Sequence, residues 1–232
     1  MKNLFVMVFF LLSTIYANAI SVEESKQIAK GAQLYDKWMS VKGVKSPKEV
    51  HPSYPATGKK AKDSWRCKEC HGWDAKGVLG QYSKGSHYTG IKGLQDYKNG
   101  KIEDIVTILK SENHQYGSVM KDEELKAIAI FVSMMQTDTP FIDSKTKRVS
   151  GDATNGGIIF QATCAKCHGE DGKMINFKEA PKEVFVGDAI RDNPWEAFHK
   201  IRFGHPGTFM PAFFPFGDKT VADILSYSQD LE

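Results

Sequence analysis

Cysteine is absent from this 232-residue chain except at four positions. Those four stand in two copies of one pattern, Cys67-Lys68-Glu69-Cys70-His71 and Cys164-Ala165-Lys166-Cys167-His168. No cysteine is left over for a thiol nucleophile, a third sulfur ligand or a separate disulfide framework. Charge of either sign is also not in excess: 31 Lys and Arg face 28 Asp and Glu, for a formal charge of +3, which argues against a polyanion such as nucleic acid as the partner. Long apolar runs are missing apart from Leu4 to Leu12. No Walker lysine pattern accompanies the glycines, which excludes a phosphate cradle.

The two cysteine pairs are the strongest signal. A zinc ribbon spaces its pairs by about 15–20 residues, whereas 93 residues separate Cys70 from Cys164. A thioredoxin-like site expects a βαβ pattern, and none is evident. Each pair is instead followed by His-Gly. Cys-x-x-Cys-His is the attachment pattern of a c-type haem, in which two thiols add across the porphyrin vinyl groups and the histidine becomes the proximal iron ligand. The expectation is two covalently attached haem c groups, held by Cys67 and Cys70 with His71, and by Cys164 and Cys167 with His168.

Residues 1–19 read as an export signal: Lys2, the apolar run, then Ala17-Asn18-Ala19 as a small-x-small cleavage site. An uncleaved anchor is the competing reading. Export agrees with haem attachment outside the bacterial cytoplasm, so the expected location is the periplasm, with no stable membrane insertion after cleavage. The remaining 213 residues suit two domains of about 100 residues each.

Register between the motifs exposes a duplication. Gly31-x-x-x-Tyr35 precedes the first and Gly156-x-x-x-Phe160 the second. Each half closes on an amphipathic helix beginning at an Asp: Leu125, Ile128, Phe131 and Val132 follow helical spacing after Asp122, and Val221, Ile224, Leu225 and Tyr227 follow it after Asp218. Tyr35 lies 32 residues before Cys67, whereas Phe160 lies 4 before Cys164, so the first half carries 28 additional residues. From Lys42 to Lys68 there are eight Lys and Arg against two acids. This insertion reads as an irregular solvated loop or as a docking surface for an acidic redox partner; Trp65 and Trp73 read as further surface for a partner. Residues 137–151 read as an aperiodic linker between domains 20–136 and 152–232.

On these motifs each half resembles a class I cytochrome c domain. The resemblance implies an all-α fold of tandem cytochrome c-like domains, each with a first helix crossing a last one, and Gly31 with Tyr35, and Gly156 with Phe160, in the role of permitting close approach. It also implies a sixth iron ligand, usually methionine, ahead of the last helix. In the second half this is Met210 of Met210-Pro211, eight residues before Asp218, with His205 as a competitor and Met174 read as packing. In the first half the register puts His114 eight residues before Asp122, and Met120, the alternative ligand, only two before it, at a packing position matching Phe216. His51 and His87 are weaker candidates. The Gly-rich stretch 72–93 is expected to wrap the haem edge.

A second imidazole favours ferric iron and a thioether favours ferrous iron, so the first haem is expected at low potential and the second at high potential. No catalytic residue stands out. The expected function is single-electron transfer between a donor and an acceptor redox protein of respiration or sulfur oxidation. The alternatives are a di-haem oxidoreductase resembling thiosulfate dehydrogenases or cytochrome c peroxidases, and a cytochrome subunit of a larger respiratory complex.

Overall fold

The computed structural model describes residues 20–55, 58–134, 139–178 and 181–232. The export signal expected at 1–19 lies outside the described residues. Among those described, the chain is helical, with two isolated β-bridges and no strand, as the resemblance implies. In the first half α1 (Val22–Lys42) is followed by α2 (Ala61–Ser64), α3 (Cys67–His71), α4 (Ile102–Lys110) and α5 (Asp122–Met134). In the second, α6 (Ala153–Ile159) and α7 (Ala165–His168) are joined by a π-turn, Phe160–Cys164, and α8 (Val186–Asp192), α9 (Pro194–Phe203) and α10 (Asp218–Ser228) follow.

The two halves repeat one packing, α1 against α5 and α6 against α10. A Cβ built on Gly31 would overlap the Ala127 carbonyl oxygen, and one on Gly156 would overlap the Asp223 carbonyl oxygen. Glycine is required at both because the facing backbone occupies the place of a side chain. The apolar stripes point inward: Leu125, Ile128, Phe131 and Val132 are buried, as are Val221, Ile224 and Leu225. Met120 is buried at the entry to α5, in the packing role read for it, while its counterpart Phe216 is exposed.

Asp218 opens α10 as read, in its first turn, and its carboxylate also pairs with Arg202 Nε at 2.7 Å. Met174 is exposed rather than packed. Residues 139–151 have no helix, yet they are docked on the second half. Ile142 and Val149 face each other across a bridge and are buried, Phe141 stacks near Phe198, and Gln229 bonds both Val149 N–H and Lys147 C=O.

The halves share a buried contact. Trp73, read as partner surface, is buried in the core of the second half, and Trp65 is buried in the first. Flanked by Ser64 and Arg66, and by Gly72 and Asp74, neither tryptophan has a periodic pattern to mark it as core. His199 of α9 is fully buried, with Nε2 3.1 Å from the Ala32 carbonyl oxygen on α1 and its ring among those of Tyr35, Trp73, Phe131 and Phe203. Gln33 Nε2 donates to the Phe203 carbonyl at 2.9 Å.

Candidate haem sites

The first motif is gripped from α1 on both sides. Tyr35 Oη donates to the Gly72 carbonyl at 2.6 Å, just after the motif. Just before it, Arg66 donates from Nε to the Asp36 carbonyl at 2.7 Å and from a terminal nitrogen to Asp36 Oδ1 at 2.5 Å. Burial acts to raise the Asp36 carboxyl, but Arg66, Lys200 and His199 outweigh it and hold the group below its usual range. Inside the motif Glu69 is buried and paired with Lys68 and His87. Burial pushes it up, but those partners and Arg66 bring its carboxyl down to about 2.

Cys67, Cys70 and His71 open onto a largely apolar cavity whose far wall carries His114. The rings of His71 and His114 are 6.3 Å apart between centres and 13° from parallel. Two imidazoles on opposite sides of one ion, with bonds of about 2.0–2.1 Å, have centres about 6 Å apart. His71 Nδ1 lies 2.9 Å from the Lys92 carbonyl oxygen, a bond that puts the proton on Nδ1 and leaves Nε2 as the ligand atom. Burial lowers the His71 imidazole to about 4, and burial followed by the proximity of His51 lowers that of His114. Both rings are therefore neutral at physiological pH, the state a metal requires. Burial raises the thiols of Cys67 to about 11 and of Cys70 to about 12, keeping both protonated before attachment. Ile91, Lys92 and Gly93 of the Gly-rich stretch, and Leu94 just after it, line the same cavity. These residues fit a covalent haem.

The other candidates are placed elsewhere. Met120 sits in the core beneath α5 and does not line the cavity. His87 stacks on Tyr82 with ring centres 4.8 Å apart. His51 lines the cavity, but its Nε2 is directed to the His114 carbonyl oxygen at 2.8 Å.

The second motif is more open. Cys167 is exposed, and Cys164, His168 and Met210 are half-buried. His168 packs edge-on to Phe177 at 6.0 Å, and burial lowers its imidazole. Met210 N–H donates to Thr208 Oγ1 at 3.2 Å within its own loop, and His205 Nδ1 is 3.2 Å from the Pro206 carbonyl oxygen. No hydrogen bond or ring contact among the described residues joins His168 to Met210.

The basic insertion is only partly free. Lys42 bonds Glu124, Arg66 bonds Asp36, and Lys68 pairs with Glu69 over the Trp73 ring. Lys45, Lys48, Lys60 and Lys62 remain exposed. Lys62 and Arg66 join Lys37, Lys178 and Lys182, with one acid, Asp63, around an open groove of about 890 Å³ that also takes in Phe177. Sequence reading missed Asp36, one acid within the first helix, and Glu69, a variable position inside the motif; neither carried a signal that marked it as buried.

A helix crossing closed by glycine beside a Cys-x-x-Cys-His turn fits a cytochrome c arrangement, and one family model agrees for the second half. Residues 151–227 match the family described as cytochrome c oxidase, cbb3-type, subunit III. A solved structure titled as the reducing HAO-like protein complex of Kuenenia stuttgartiensis aligns over 81% of this chain and 99% of that one at 16% identity, with a TM-score of 0.30, too loose an overlap to define the fold. Residues 151–227 thus match a cytochrome c family, which implies covalent haem c in that half. No helix among the described residues is long and apolar enough to cross a membrane.

Proposed function

We propose that the protein is a periplasmic di-haem electron carrier of two class I domains, at 20–136 and 152–232. The first haem would be attached through Cys67 and Cys70 and ligated by His71 and His114, the second attached through Cys164 and Cys167 and ligated by His168 and Met210. The observation that carries this reading is the near-parallel His71–His114 pair at 6.3 Å across the cavity that Cys67 and Cys70 line. Bound haem supplies a one-electron ferric–ferrous couple. Around it, Lys92 fixes the His71 tautomer, and Ile105, Leu109, Ile128 and Val132 supply an apolar wall that keeps water away. Ligation from both sides leaves no position for a substrate, so no residue is assigned a catalytic role. The exposed lysines of the insertion and the groove suit an acidic donor or acceptor protein.

The test is a spectroscopic redox titration of wild type beside His114→Met and Met120→Leu. Two separated potentials are expected. His114→Met should raise the lower one, within the roughly 0.8 V range over which axial ligands tune haem, and Met120→Leu should move neither. Two equal high potentials in wild type, or a shift with Met120→Leu alone, would reverse the ligand assignment. A second reading, a cytochrome subunit of a larger respiratory complex, is favoured by the description of the matching family; a stable partner that co-purifies would select it.

A further inference from the structure

The insertion does something other than present charge. His51, near its middle, is buried. Its Nδ1 accepts from Ser53 N–H at 3.2 Å, so the ring proton is on Nε2, which donates to the His114 carbonyl at 2.8 Å. The backbone N–H of His51 donates to Ser64 Oγ at 3.0 Å, and that hydroxyl donates to the Ala61 carbonyl at 3.0 Å. The ring lies edge-on to Trp65 at 4.4 Å. Trp65 in turn donates from Nε1 to the Glu49 carbonyl at 2.9 Å, and its own carbonyl receives Trp38 Nε1–H from α1 at 2.8 Å and Tyr116 Oη–H at 3.1 Å. The insertion is therefore stapled to the first helix on one side and to the 114–116 loop on the other. That loop needs a staple: Gln115 has φ of +55°, a left-handed conformation that costs a non-glycine residue. The second half lacks the insertion, and there the Met210 N–H bonds Thr208 of its own loop.

We infer that His51 is a positioning residue for the sixth ligand of the first site, and that the insertion is a clamp holding His114 on the cavity. The inference rests on the reading of His114 as a ligand. His51→Phe keeps a flat ring and removes the donor; His51→Gln restores one. The loss of one buried hydrogen bond shifts an open–closed equilibrium by about tenfold.

The experiment uses the full-length protein carrying its haems. It compares carbon monoxide binding to the reduced protein and the high-spin fraction of the oxidised protein in wild type, His51→Phe, His51→Gln and His114→Ala. Expected are an approximately tenfold larger carbon monoxide-reactive fraction at one haem in His51→Phe, the other haem unchanged, and a return toward wild type in His51→Gln. If His114→Ala opens the site and His51→Phe does not, the clamp is wrong and the ligand reading stands. If His114→Ala leaves both haems low-spin and closed, the ligand reading itself fails. Should His51→Phe not fold, Ser64→Ala, which removes the acceptor of the His51 N–H together with the hydroxyl's own bond to the Ala61 carbonyl, carries the same comparison: partial opening supports the clamp, and a wild-type spectrum overturns it.

Discussion

Asp36 and Arg66 show how much a single pair can matter beside the attachment motif. The Asp36 side chain is 2% exposed and that of Arg66 14%. Removing one partner of such a pair strands a buried charge and costs about 3–5 kcal/mol. Asp36→Asn should therefore destabilise the protein by that order in chemical denaturation at neutral pH. The folded carboxyl lies below its ordinary value, so its contribution is present above the ordinary carboxylate range and is lost as pH falls through the lowered folded value. The gap between wild type and Asp36→Asn should shrink below about pH 4; a gap independent of pH would place the cost elsewhere. The pair was not legible in the sequence. Arg66 counted as one of eight cations in a basic stretch, and nothing in a count distinguishes a charge facing solvent from one buried against a helix 30 positions earlier.

At the scale of elements, the helices that pack face to face were legible and the segments that lock them were not. The spacing of Leu125, Ile128 and Phe131, and of Val221, Ile224 and Leu225, identifies α5 and α10 as half-buried helices, and both are. Gly31 and Gly156 have a role that only close approach explains. Valine at either position must force the crossing apart, because the obstructing atom is backbone rather than a flexible side chain. Gly31→Val and Gly156→Val should each cost more than the 1–3 kcal/mol typical of overpacking, about 3 kcal/mol or more, read as a lowered midpoint in thermal unfolding. A cost under about 1 kcal/mol would mean that the helices are not in backbone contact. The insertion and residues 139–151 escaped sequence reading for a common reason. They are fixed through backbone carbonyls, those of Glu49, Trp65, His114 and Lys147, and every residue has a carbonyl.

For the whole molecule the informative group is His199. Burial is the main cause of its depressed imidazole, brought down to about 4; Asp36 and the Ala32 carbonyl oppose that shift, while Arg202 and Lys200 reinforce it. The unfolded chain binds this proton at about 6.5 and the folded one only near 4, so stability is complete above pH 6.5 and falls as pH drops between the two values. The full window corresponds to about 3 kcal/mol. His199→Leu should flatten that part of the stability–pH curve, measured by denaturant titration from pH 7 to pH 4. An unchanged slope would mean that acid opens the protein elsewhere. The duplication made two halves legible, but their contact was not, because it joins Trp73, which follows the first motif, to the core of the second half.

That placement of Trp73 has a kinetic meaning. With an indole from one half in the hydrophobic core of the other and 5.3 Å from the His199 ring, and three cations within 6.0 Å of its ring centre, the halves are not tethered bodies that meet by chance. On the proposed di-haem reading, electron transfer between the two motifs would run over a path of constant length rather than waiting for a swinging encounter. Its rate should be indifferent to how thick the solvent is made.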